Sequence, residues 1–226
     1  MRTSTIHHLP ARRFVSVLGL LLASAHAQET IIFSDSFENP DTTVSSFGTP
    51  LAPPAGWDFS AGNVNSNGVH LAPTVATGAD TSGDGADDQV LRLFADGTMT
   101  STASQFNHTL ALGEVATLTF DYGNLANLGL GRAGAFTVQI LAIDGVAAET
   151  VLATSSISFA SNELTNGLEG DFSLTHTVAS NSGERLAIRV FVGGGTVHTV
   201  IDNMELTVVP EAGTFISCAF AAAIGL

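Results

Sequence analysis

The sequence has no lysine, and beyond residue 27 its only arginines are Arg92, Arg132, Arg185 and Arg189. All 21 acidic residues lie in that same stretch, so four positive charges against 21 negative leave a formal charge of −17 from residue 28 onward. Such a surface repels phosphate backbones and anionic lipid heads, which excludes nucleic-acid binding through a basic patch. It favours solubility and divalent cations instead. Cys218 is the only cysteine, so no intrachain disulfide holds the fold, which must rely on core size or a bound metal. The apolar runs Phe14–Ala23 and Phe215–Leu226 hold ten and twelve residues. Both fall short of the roughly 20 residues that cross a bilayer as a helix. There is also no G-x-S-x-G elbow, no H-E-x-x-H and no glycine-rich phosphate loop leading into a helix; Gly193-Gly194-Gly195 joins two strands instead. Nothing here marks catalysis, although a glycosidase needs only two carboxylates across a cleft and sequence leaves that class open.

What is present begins with an export signal. Arg2, Arg12 and Arg13 precede the apolar run, and Ala25-His26-Ala27 is the small-x-small pattern of a signal peptidase site. The sequence therefore predicts a cleavable signal peptide over residues 1–27 and an exported chain, extracellular or associated with the cell envelope. Its membrane contact is transient, through the signal peptide and the tail. The chain beyond the cleavage site is long enough for one domain with a full core, read as residues 28–208.

That stretch alternates Val, Ile, Thr and Phe with polar residues, and clusters of Gly, Asn, Asp and Ser interrupt it, the signature of an all-β chain without helices. Leu118, Phe120 and Tyr122 share one strand face, as do Phe136, Val138 and Ile140, and Phe172, Leu174 and Val178 repeat the period of two. Further strands are expected near Ile31–Phe37, Val69–Leu71, Gln89–Ala95, Met99–Phe106, Val151–Phe159, Glu184–Val192 and Val197–Val208. Strands with one dry face pair into two sheets packed face to face, so the expected fold is a two-sheet antiparallel jelly-roll sandwich.

Two stretches carry family resemblances. Val209-Pro210-Glu211-Ala212-Gly213-Thr214 and the apolar run after it resemble the PEP-CTERM sorting signal. Here Ala212 stands where that motif has its second proline, and no terminal arginines come after it. The resemblance implies a degenerate or shortened sorting tail over residues 209–226, with an exosortase-type enzyme as partner. The body is similar to the galactose-binding-like jelly rolls of secreted carbohydrate-binding modules. That similarity rests on Ser36-Phe37-Glu38, Gly56-Trp57 and Ile201-Asp202-Asn203-Met204. It implies a structural calcium ion beside Glu38 and Asp202, and extracellular polysaccharide as a partner.

Asp202 also stands out on its own residues. It is in phase with Val200, Met204, Leu206 and Val208, which aims its carboxylate at the dry side, where a charge needs a cation or another partner. The alternative is a carboxylate at a sheet end that accepts backbone N–H bonds and needs no metal. The run Asp80-Thr81-Ser82-Gly83-Asp84-Gly85-Ala86-Asp87-Asp88 resembles short calcium loops, which makes Asp80, Asp84 and Asp88 candidate ligands; an ordinary solvated acidic turn is the other reading. His70, His108, His176 and His198 match no zinc spacing and are read as structural. For sugar stacking the chain offers Trp57 and Tyr122 besides its phenylalanines; both suit a core, and Trp57 with Asn65, flanked by Asn63 and Asn67, is the weak ligand-binding candidate. The reading that results is an exported, non-catalytic, carbohydrate-binding-like module stabilised by calcium. Its rivals are a structural matrix or surface protein without a small ligand, and a polysaccharide lyase or hydrolase.

Overall fold

Eleven strands form among the described residues, most of them alternating dry and wet side chains: β1 (Thr30–Asp35), β2 (Trp57–Ala61), β3 (Gly68–Leu71), β4 (Gln89–Phe94), β5 (Gly97–Ser101), β6 (Val115–Asn124), β7 (Gly134–Ile143), β8 (Glu149–Phe159), β9 (Gly167–Thr177), β10 (Arg185–Phe191) and β11 (His198–Val209). The computed structural model describes residues 28–38, 51–61, 67–71, 89–94, 97–102, 106–124, 133–143, 149–160, 167–179, 185–192 and 198–210. The signal segment, Asn63, Asn65, the acidic run 80–88 and the tail after Pro210 lie outside them. No helix among the described residues is long and apolar enough to cross a membrane.

Every strand pairing is antiparallel. The larger, six-stranded sheet runs β3-β4-β11-β6-β9, with β1 also on β11; the smaller, five-stranded sheet runs β2-β5-β10-β7-β8. Residues Glu29–Val209 form one compact unit. Two antiparallel sheets face to face are the jelly-roll sandwich that the alternation predicts, because each sheet needs its apolar face covered.

Ala116, Leu118 and Phe120 of β6, Phe136, Val138 and Ile140 of β7, and Leu186, Ile188 and Val190 of β10 fill the space between the sheets. Phe120 stacks on Phe172 with centroids 4.4 Å apart, and Tyr122, half-buried, meets Phe136 edge-on at 5.4 Å. Two rings lie over cross-strand glycines: Tyr122 over its partner Gly170, and Phe159 over Gly134. A side chain at either glycine would displace the ring.

Two expectations need correction, and one strand, β2, is not among those the sequence predicts. The strand expected over Met99–Phe106 ends at Ser101, and Phe106 enters the core from outside any strand. The phase assigned to Asp202 is also reversed. Ile201 is opposite Tyr122 and Asp202 opposite Asp121, but Glu205 is opposite Thr119, so β11 carries an extra residue at this point. Asn203 takes a positive φ of 51° there, which asparagine tolerates better than most residues. The bulge therefore puts Ile201, Met204 and Leu206 in the core and turns Val200 and Asp202 to the opposite face.

Candidate functional site

The sequence anchors at residues 36–38, 56–57 and 201–204 meet at one seam. β4 pairs with β11 up to Ile201, β1 pairs with it from Met204 onward, and the bulge fills the gap between. Asp35 closes β1. Its Oδ1 accepts the Phe37 N–H at 2.8 Å and its Oδ2 accepts the indole N–H of Trp57 at 2.7 Å, which ties the larger sheet to β2 of the smaller. The first bond forms an Asx-type turn that holds Phe37 at φ 57° and sends its ring into the core against Trp57, centroids 6.1 Å apart. Burial raises the Asp35 carboxyl above its ordinary 3.8, against the lowering effect of the Trp57 and Phe37 hydrogen bonds. Trp57 is only 6% exposed with its N–H engaged, so it is a core anchor and offers no face to a sugar.

Glu38, just past this turn, grips the start of β4: one oxygen accepts the Gln89 backbone N–H and the other its side-chain amide, both at 3.1 Å. Asp202 is 1% exposed and accepts the Asn203 N–H at 2.8 Å, while the Asn203 amide donates to Asp121 at 2.9 Å. Asp171, Asp121 and Asp202 thus stand in one cross-strand row of β9, β6 and β11. Protein N–H groups meet the carboxylates of Glu38, Asp121 and Asp202. Among the described residues no three His, Cys, Asp or Glu side chains gather to hold a metal, whereas calcium takes six to eight oxygens. Asp80, Asp84, Asp88 and Asn65 lie outside the described residues. An open cleft of about 260 Å³ between Ser34, Asp35, Ser36, Asn203, Met204 and Glu205 adjoins the seam. His108, for its part, pairs with Glu114 at 3.0 Å.

A different surface carries the richer chemistry. Along β7 the residues between Phe136, Val138 and Ile140 are Thr137 and Gln139, and they point away from the core. Register extends them into two polar rows that cross all five strands of the smaller sheet. One row is Asp58, Thr100, Arg189, Gln139 and Thr154; the next is Ser60, Thr98, Phe191, Thr137 and Ser156. None of the ten is buried. Four inter-strand gaps of about 4.8 Å make each row roughly 19 Å long.

Arg189 organises this face. Its Nε donates to Thr100 Oγ1 and its Nη1 to Gln139 Oε1, both at 3.4 Å, and its Nη2 pairs with Glu149. Glu149 is opposite Ile143, so the guanidinium reaches it across the intervening row that holds Ala187 and Leu141. Ala187 and Leu141 are both fully buried. Thr137 and Ser156 hydroxyls bond each other at 2.8 Å. The sequence marks none of these residues with a motif; the only signal is a recurrence of polar residues at alternate positions of strands that lie far apart in the chain. On the larger sheet the matching end is closed, since outward-facing Val90, Arg92, Val200 and Asp202 are all buried.

No protein-family model and no curated protein sequence matches the chain. Among solved structures it is similar to a Stig cyclase, Fisc, from Fischerella sp. TAU, with 22% identity over 81% of this chain and 100% of that one at a TM-score of 0.53. It is similar also to the CBM22-1 xylan-binding domain of Paenibacillus barcinonensis Xyn10C, with 12% identity, 82% and 99% coverage and a TM-score of 0.48. A third is TmCBM61, solved with β-1,4-galactotriose, with 13% identity, 67% and 88% coverage and a TM-score of 0.38. The likeness is one of fold.

Proposed function

We propose that this chain is an exported, non-catalytic module that holds a polysaccharide on the outward face of its smaller sheet. The observation that carries the reading is the pair of solvent-reached rows that cross the sheet, polar at every position but Phe191. They mix hydroxyl, amide, carboxylate and guanidinium groups, donors beside acceptors, as the hydroxyls of a sugar chain require. Phe191, half-buried in the second row, adds an apolar patch for the C–H face of a pyranose ring. Export rests on the signal-like residues 1–27, and envelope association on the sorting-like tail and its exosortase-type partner.

Joint replacement of Arg189 and Gln139 by alanine tests the reading. Loss of their contacts is expected to weaken binding to an immobilised polysaccharide by roughly tenfold or more, the equivalent of about 1.4 kcal/mol. Melting of the variant confirms that it folds. Equal binding by variant and wild type, or no binding of the wild type to any polysaccharide, overturns the proposal.

A structural calcium ion at the seam is a separate proposal. The support is electrostatic: Asp202 is buried beside Asp121 in a row of like charges, which cross-strand neighbours disfavour. Asp80, Asp84 or Asp88 would have to join Glu38 and Asp202 to complete the shell. Free calcium at about 1,000 times its Kd then adds roughly 4 kcal/mol of stability to the native state. The expected result is a higher melting temperature in calcium than in chelator, a gain that Asp202→Ala removes. Superimposable melting curves rule the ion out.

A further inference from the structure

From the charge arrangement on the smaller sheet we infer that the ligand is an uncharged polysaccharide, and that Glu149 enforces this by occupying the Arg189 guanidinium. The inference rests on the proposed binding face and adds to it the class of sugar. Arg189 already bonds through all three nitrogens, to Thr100, Gln139 and Glu149. A carboxylate is gripped by two parallel N–H groups of one guanidinium. A uronate would have to compete for such a pair with these partners, above all with the Glu149 carboxylate. Hydroxyls need no such fork, and two of the five N–H groups remain to meet them.

The charges around the face point the same way. Among the described residues Asp58, Glu149, Arg185 and Arg189 are those that face outward on this sheet, and they balance to zero. The surrounding unit is far from balanced, since four arginines against 20 acids over residues 29–209 give −16. A polyanion therefore approaches through a repulsive field and meets no net positive charge on the face where it lands. A neutral chain meets neither obstacle.

The experiment uses the whole mature protein with named probes: neutral xylan and mixed-linkage β-glucan against polygalacturonate and alginate, at low and high salt. The expected wild-type result is binding to a neutral chain at least roughly tenfold tighter than to either polyanion, which is about 1.4 kcal/mol of discrimination. Glu149→Gln frees the guanidinium charge, and the variant is expected to gain polygalacturonate binding that fades as salt rises. Adding Arg189→Gln to that variant should abolish the gain. Wild-type binding of polyanions as tight as of neutral chains overturns the inference and leaves the binding face standing. Binding of no polysaccharide overturns both. Should Glu149→Gln fail to fold, the wild-type comparison alone still decides.

Discussion

Gly68→Ala is expected to lower the melting temperature by about 10 °C or more, from roughly 2–6 kcal/mol of backbone strain and overpacking at about 2–4 °C each. Gly68 sits at φ 138°, and a methyl group there would lie 2.5 Å from the backbone oxygen of Ala52 and 2.8 Å from Leu51 Cβ. That same oxygen accepts the Val69 N–H at 2.8 Å, in the bridge that pins Leu51–Ala52 to the outer edge of β3. Neither obstacle can swing aside as a side-chain tip would. A non-glycine residue in so sparsely populated a region costs about 1–3 kcal/mol, and overpacking adds about 1–3 more. For a domain of this size each kcal/mol moves the midpoint by roughly 2–4 °C. Thermal unfolding checks it directly, and a shift below about 4 °C, little more than one kcal/mol, would show that the edge yields easily.

The second large effect belongs to Asp35. Asp35→Ala leaves two donors without their acceptor, the Phe37 N–H and the Trp57 indole N–H, on residues 0% and 6% exposed. An unsatisfied buried donor costs about 1–3 kcal/mol, so a loss of roughly 2–4 kcal/mol is expected after the relief of one desolvated carboxyl. The positive φ of Phe37 loses its support as well. pH supplies an independent reading. Because burial raises the carboxyl in the fold above 3.8, the native state holds this proton more tightly than the unfolded chain does. The stability linked to it is therefore fully present below about 3.8 and is lost as pH rises through the folded value. The difference in unfolding free energy between wild type and Asp35→Asn, which does not titrate, should fall over that window and be flat above it. A flat difference throughout would mean that burial has no grip on this group.

The seam around Asp35 also shows how far the sequence can be read. Strands such as β6, β7 and β9 are legible because Leu118, Phe120, Phe136, Val138, Phe172 and Leu174 recur at every second position, and that period alone requires paired sheets. The seam is legible too, as three short anchors, since Phe37, Trp57 and Asp202 do gather where β1 and β4 both leave β11. The bulge is not. One extra residue reverses every side chain beyond it, so the carboxylate assigned to the dry face of the core lies on the other face. Its only trace is the Asp202-Asn203 pair, an asparagine free to take a positive φ. β2 escapes notice because only Trp57 and Phe59 alternate in its five residues.

The proposed binding face is illegible for a different reason. Asp58, Thr100, Gln139, Thr154 and Arg189 come from five strands spread over more than half the chain, and only register places them side by side. Each alone is an ordinary polar residue on the wet side of a strand. A likeness of fold to other proteins does not assign these residues their role, because sandwiches of this kind serve as scaffolds for many sites. The assignment rests on the rows themselves and on the exposure of this face beside the closed end of the larger sheet.

Amide chemical-shift mapping during titration with a neutral xylo- or gluco-oligosaccharide tests that assignment most directly. The account predicts concentration-dependent shifts centred on Thr100, Gln139, Arg189 and Phe191, while Thr117, Thr119 and Asp121 on the outward face of the larger sheet stay still. Shifts confined to the larger sheet, or to the cleft at Ser34–Ser36, would contradict it.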